Sequence, residues 1–209
     1  MSHDDANREY WDDRYSESPH VWSGKANAVL EREAAKLTPG RALDLGAGEG
    51  GDAIWLASRG WRVTAADISQ VALDRAASHA AEAGVADRVD WQRHDLGDTF
   101  PDGEYDLVSA QFLHSPAGLP REGILRSAAR AVAPGGILLI GSHAGWPSWM
   151  ENPPEGVEFP SPQETVAGLE LADGEWETLI CAEHEREQRK PDGTTGIRMD
   201  NTVMLRRKG

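Results

Sequence analysis

The chain has 209 residues, 39 % hydrophobic and 27 % charged, with a net charge of −14, proportions that suit one globular domain with a substantial core. So acidic a surface argues against nucleic acid and anionic membranes as partners, since both require a basic patch, and no apolar run reaches bilayer length. The polar, acidic opening "MSHDDANREYWDDRY" lacks the basic start and apolar centre of a signal peptide, and a single cysteine, Cys181, rules out an internal disulfide. A cytoplasmic location is expected.

Along the chain, the first 25 residues are aromatic and charged without clear periodicity. Ala26, Leu30, Ala34 and Leu37 follow helical spacing, and "TPG" at 38–40 stops the run. "RALDL" (41–45) reads as a first strand leading into glycines, "DAIWLASRG" (52–60) as a helix and "WRVTAAD" (61–67) as a second strand. Ser69 can cap a helix whose buried face is Leu73, Ala76, Ala77 and Ala80 and whose stop is Gly84. "DRVDWQ" (87–92) and "YDLVSAQ" (105–111) are a third and fourth strand; Ile124, Leu125, Ala128, Ala129 and Val132 mark a helix broken at Pro134-Gly135-Gly136; "ILLIG" (137–141) is a fifth strand. Strands alternating with helices predict an α/β fold, a doubly wound parallel sheet covered on both faces.

Residues 142–163, with five prolines, break that rhythm. A short helix over 164–172 follows, then two extended segments, "EWETLICAEHEREQRK" and "TGIRMDNTVMLRR", joined by the turn "PDGTTG" into an antiparallel pair. The terminal "LRRKG" reads as a solvated end.

The stretch "DLGAGEGGD" (44–52) carries the chemistry. Its glycines fall at the carboxyl end of the first strand, where open α/β sheets bind ligands. Gly46, Gly48 and Gly51 match a dinucleotide pattern, but Asp44 opposes it: a carboxylate beside a pyrophosphate costs on the order of several kcal/mol in a poorly solvated site. S-adenosylmethionine, with a sulfonium and an ammonium and no phosphate, reverses that sign. Asp67 ends the second strand, where an acid can accept both ribose hydroxyls, and Asp95, just beyond the third, can accept from an adenine amine.

In this order the motifs resemble those of the class I S-adenosylmethionine-dependent methyltransferases. "ALDLGAGEGGDAIWLASRG" is similar to their first motif, "VTAADIS" to the acidic second and "RHDL" to the third; "YDLVSAQFLH" and "APGGILLI" are similar to the last two. The likeness spans about residues 26–141. It implies a Rossmann-like, seven-stranded, mostly parallel sheet with an antiparallel C-terminal hairpin. It also implies that Asp44, Gly46, Ala47 and Gly48 lie along the methionine part of the cofactor, Asp67 and Ile68 at the ribose, Asp95 and Leu96 at the adenine, and Gln111 by the methyl group. "YWDDRYSESPHVWSGKAN" (10–27) is similar to the opening of small members of the tellurite-resistance and thiopurine methyltransferase-like branch. There it implies an aromatic lid with Tyr15 and Trp22, and Asn27 near the cofactor carboxylate; the same aromatics would equally serve as a staple on the sheet edge. One domain is then expected: a lid segment (1–25), a cofactor-binding core (26–141), and an acceptor-side loop with the hairpin (142–209).

The implied activity is in-line methyl transfer to a small molecule, by a soft thiol, a metalloid or a hydroxyl acceptor. "AQFLHSP" departs from the fourth-strand pattern of nucleobase-amine enzymes, and no acidic cluster suggests a metal. A hydroxyl or ammonium acceptor must lose a proton, for which His114 and His143, after the fourth and fifth strands, are the candidate bases. Trp146 and Trp149 are expected to line an apolar acceptor pocket. Two other readings stand beside this one, a nicotinamide-dependent oxidoreductase and a non-catalytic binder of S-adenosylmethionine.

Overall fold

The computed structural model describes residues 3–18, 20–154, 156–190 and 192–209. Seven strands form one sheet in the order β3-β2-β1-β4-β5-β7-β6. β1 (Arg41–Leu45), β2 (Arg62–Asp67), β3 (Val89–Arg93), β4 (Tyr105–Gln111) and β5 (Val132–His143) run parallel; β7 (Thr195–Arg207) pairs antiparallel with both β5 and β6 (Trp176–Arg189). The doubly wound sheet with an antiparallel C-terminal hairpin is thus present.

Strand alternation sorts the core onto two faces. Ala42, Val63, Ala65, Leu107 and Leu139 face α2 (Ala28–Ala34) and α3 (Gly51–Ser58). Leu43, Leu45, Val108, Leu138 and Ile140 face α5 (Arg121–Arg130). α4 (Gln70–Glu82) starts where the Ser69 hydroxyl accepts from Ala72 N at 3.2 Å, as its sequence predicts. Among the described residues no helix is long and apolar enough to cross a membrane.

Three elements differ from the expected pattern. The N-terminal segment forms α1 (His3–Glu17), packed on α4; Asn7, Trp11 and Tyr15, one i, i+4 stripe, line the cavity at the sheet end, too narrow a stripe to give visible periodicity. The fifth helix stops at Arg130, and β5 begins at Val132, so Pro134-Gly135-Gly136 lies inside the strand, where the pairing with β4 slips between Tyr105 and Leu107. That is a bulge rather than a helix-to-strand loop. The short helix, expected over 164–172, is α6 (Pro162–Gly168), opened by a Ser161–Glu164 capping box with Pro162 in its first turn. Residues 1, 2 and 19 of the N-terminal segment and Pro191 of the hairpin turn lie outside the described residues.

Candidate functional site

The site is assembled where β1, β2 and β4 end. Gly46 and Gly48 have φ of +74° and +53°, left-handed conformations that suit glycine. A Cβ on Gly48 would come within 2.9 Å of the Tyr15 hydroxyl, and one on Gly46 within 2.9 Å of Leu113. The loop is therefore a bare backbone cradle. Asp67 ties it to β2: one carboxylate oxygen accepts from Gly48 N at 2.8 Å, the other from Ser69 N at 2.9 Å.

Beneath the loop lies a buried group of carboxylates. Asp44 is 2 % exposed, and its Oδ2 has no hydrogen-bond partner. Asp52, in the first turn of α3, accepts from Asn27 N at 2.6 Å and from the Asn27 amide at 2.9 Å. Burial pushes the Asp44 carboxyl well above the usual carboxylate range, and the charges of Asp52 and Asp67 push the same way. Burial also raises Asp52 and Asp67, against the bonds they accept. Among the described residues only the backbone of Ala53 supports the Asp44 carboxylate, and a buried carboxylate oxygen left without a partner suits a cation.

A clamp that sequence reading missed holds the N-terminal segment over this loop. Glu49, 4 % exposed, accepts from Val21 N at 3.1 Å and Trp22 N at 3.0 Å. Arg75 of α4 donates to Glu49 at 3.1 Å, to Ser18 O at 2.7 Å and to Tyr15 O. The Trp22 indole donates to the Tyr15 hydroxyl at 2.9 Å, and Trp11 lies against both rings. Trp11 also donates to Ser115 Oγ at 3.0 Å, which in turn donates to Asn7 at 2.6 Å. Replacing Glu49 by alanine takes the carboxylate from the largely buried Arg75 and leaves it only the carbonyls of Ser18 and Tyr15; breaking such a buried pair costs about 3–5 kcal/mol. Glu49→Ala is expected to expose residues 15–25 to limited proteolysis at least tenfold faster than the parent; an unchanged cleavage rate would show that the clamp does not hold the segment.

These elements enclose a cavity of about 780 Å³. Every candidate position lines it: Trp22, Asn27, Asp44, Gly46, Ala47, Gly48, Asp67, Ile68, Asp95, Leu96, Gln111, His114 and His143. Local detail separates them. The Asn27 amide is committed to Asp52. Gln111 donates to Ser109 Oγ at 3.1 Å and Leu139 O at 3.3 Å, leaving its own oxygen without a partner. Asp95 accepts from Gly97 N at 3.1 Å and shapes its loop. Trp22 is half exposed.

Trp146 and Trp149, by contrast, do not line the cavity. Trp146 packs edge-on against Phe159, with centroids 5.4 Å apart, and Trp149 covers Gly196 of the hairpin. The cavity wall on that side is instead the inner face of the hairpin, because β7 inserts beside β5. His143 pairs in register with Asp200. Its Nδ1 lies 2.8 Å from Asp200 Oδ1, while Arg186 donates to the other oxygen of this fully buried carboxylate. Burial lowers the His143 imidazole below its ordinary value; Asp200 opposes this, and Arg198 and His114 add to it. Phe112, with φ of +52°, sets its ring 4.4 Å from that of His143, and His114 Nδ1 lies 2.6 Å from Phe112 O. Asp200, Arg186 and Arg198 also face the cavity, and their signal in the sequence was the period-2 spacing of charged residues on β6 and β7.

Residues 42–136 match a family described as a methyltransferase domain. The chain is 33 % identical over 132 residues to the 2-heptyl-1-hydroxyquinolin-4(1H)-one methyltransferase of Mycobacteroides abscessus, a match covering 61 % of this chain and 57 % of that protein. It is 32 % identical to a solved S-adenosylmethionine-dependent methyltransferase of Geobacter sulfurreducens in complex with S-adenosyl-L-homocysteine, with a TM-score of 0.52 over 68 % of this chain and 57 % of that one. TehB of Haemophilus influenzae, 18 % identical, shares the fold with a TM-score of 0.67 over 95 % of this chain and 67 % of that one. The chain spans between a third and three fifths of the length of the curated relatives it matches.

Proposed function

We propose that the chain is a class I S-adenosylmethionine-dependent methyltransferase, a reading supported by its match to a methyltransferase domain and by its methyltransferase relatives, and that it methylates a hydroxyl group of a small molecule. The observation that carries the cofactor is the unpartnered, buried Asp44 Oδ2 beside the glycine cradle. A cationic nucleoside offsets that charge, whereas a diphosphate would add to it. Asp44, Gly46, Ala47 and Gly48 then hold its methionine end, Asp67 and Ile68 its ribose, Asp95 and Leu96 its adenine. Asn27, fixed on Asp52, borders the cofactor carboxylate, and Gln111 closes the methyl side. When bound, S-adenosylmethionine supplies an electrophilic methyl carbon on sulfur with a good leaving group.

The protein's own share is orientation and proton removal. Holding donor and acceptor in line contributes about 7–11 kcal/mol in favourable cases. The lid of Trp11, Tyr15 and Trp22 excludes water. At the acceptor end, Asp200 keeps the His143 proton on Nδ1, which leaves Nε2 to take the hydroxyl proton as the new bond to carbon forms. A thiolate or a metalloid oxyanion has no proton to lose, so a carboxylate-held imidazole favours a hydroxyl. His114, held by a backbone carbonyl, is the second basic group at this end. The Mycobacteroides relative, whose name specifies a small hydroxylated heteroaromatic, supports the same acceptor class. The net charge of −14 supports a small molecule over nucleic acid. Incubation with S-adenosylmethionine and panels of phenols, thiols, amines and metalloid oxyanions tests this reading. S-adenosylhomocysteine should accumulate with phenols; turnover confined to another panel would overturn it.

A further inference from the structure

Arg186 and Arg198 are directly opposed in the β6–β7 register, so both side chains leave the hairpin on one face. Asp200, two residues from Arg198, and its partner His143 share that face. Like charges placed opposite each other in a sheet repel, and the fold offsets only one of these two. Asp200 gives one oxygen to Arg186 and the other to His143, so both are committed. Arg198 has neither a hydrogen bond nor an ion pair among the described residues, and its Nε is buried without an acceptor. Glu187 also borders the cavity but alternates to the other side of its strand, away from this pair. With His143 neutral, Asp200 balances Arg186, and the guanidinium of Arg198 is left as an uncompensated cation in the wall of a cavity within a chain of net charge −14.

A half-buried arginine with a buried, unused Nε donor is a fork for an oxyanion. Two residues of strand, about 7 Å, separate it from the carboxylate that holds His143, roughly the width of a substituted benzene ring. The Phe112 ring, 4.4 Å from that of His143 and 5.8 Å from the Arg186 guanidinium, provides a flat wall beside His143 and Arg186. Resting on the methyl-transfer reading, we propose that the acceptor is an aromatic acid, its carboxylate bound by Arg198 while its hydroxyl meets His143. The cavity is then charge-sorted from end to end: carboxylates by the cationic cofactor, a guanidinium by the anionic acceptor.

The test uses the full chain loaded with S-adenosylhomocysteine, with 4-hydroxybenzoate and its neutral counterpart 4-hydroxybenzamide as probes in titration calorimetry. The acid should bind at least tenfold tighter than the amide. Arg198→Met should erase that preference and Arg198→Lys should keep part of it, with uptake of S-adenosylhomocysteine unchanged in both. Equal affinities, no binding of either probe, or a preference that survives in Arg198→Met would overturn the proposal while leaving the methyl-transfer reading intact. Failure of the parent protein to take up S-adenosylhomocysteine would sink that reading itself, and the acid site with it.

Discussion

Asp44→Asn is expected to stabilise the ligand-free protein and, in the same molecule, to weaken S-adenosylmethionine binding ten- to a hundredfold. Both effects come from one atom. Asp44 Oδ2 is buried without a partner, next to two more buried carboxylates. An ionised carboxyl there costs free energy until a cation arrives, and an isosteric amide relieves the charge without opening a cavity. Each 1 kcal/mol gained raises Tm by about 2–4 °C in a chain of this size, and a gain of at least that much is expected by scanning calorimetry. A hydrogen bond to a charged group contributes about 1.5–3 kcal/mol, which is the tenfold to hundredfold loss of affinity.

The pH dependence follows the same sign. The folded Asp44 carboxyl is raised above its ordinary 3.8, so its contribution to stability is present below that value and is lost as pH rises through the raised one. The Tm advantage of Asp44→Asn over the parent should therefore widen from acidic to neutral pH. A variant that is less stable and binds the cofactor as well as the parent does would make Asp44 a structural carboxylate.

What the sequence made legible here was local. The glycine cradle, Asp44 and Asp67 sit at strand ends in contiguous motifs, and their placement follows from residue type and position on a parallel sheet. The capped start of α4 is equally short-range. The acceptor end is another matter. His143 and Asp200 are 57 residues apart and meet only because β7 inserts between β5 and β6. A hairpin expected from alternation alone leaves its register open, and a slip of one residue would have turned Arg198 and Asp200 to the opposite face. The Glu49–Arg75 clamp is hidden for a similar reason, since its other partners are backbone groups of residues 15–22, to which a sequence pattern gives no signal. Trp146 and Trp149 mislead in the opposite sense: apolar side chains in a proline-rich loop have more uses in packing than in binding, and Phe159 and Gly196 claim them.

The proposed base at that end provides the second large effect. His143→Ala is expected to lower kcat for a phenolic acceptor by about 10²–10⁴ and to leave cofactor affinity unchanged, because no cofactor contact is assigned to the imidazole. The parent's profile fixes the assignment. Neutral His143 is the active form, and burial holds its conjugate acid below the ordinary 6.5 despite the opposing pull of Asp200. The rate should therefore stay level down through neutral pH and fall only on the acid side of 6.5, and that acid limb should vanish in His143→Ala. Asp200→Asn removes both the orientation of the ring and the partner of Arg186, so it should lose activity and stability together, whereas His143→Ala keeps the Asp200–Arg186 pair and should lose far more activity than stability. If the acid limb persists in His143→Ala, the proton leaves through another group, and His114, with its ring 6.0 Å away, becomes the base.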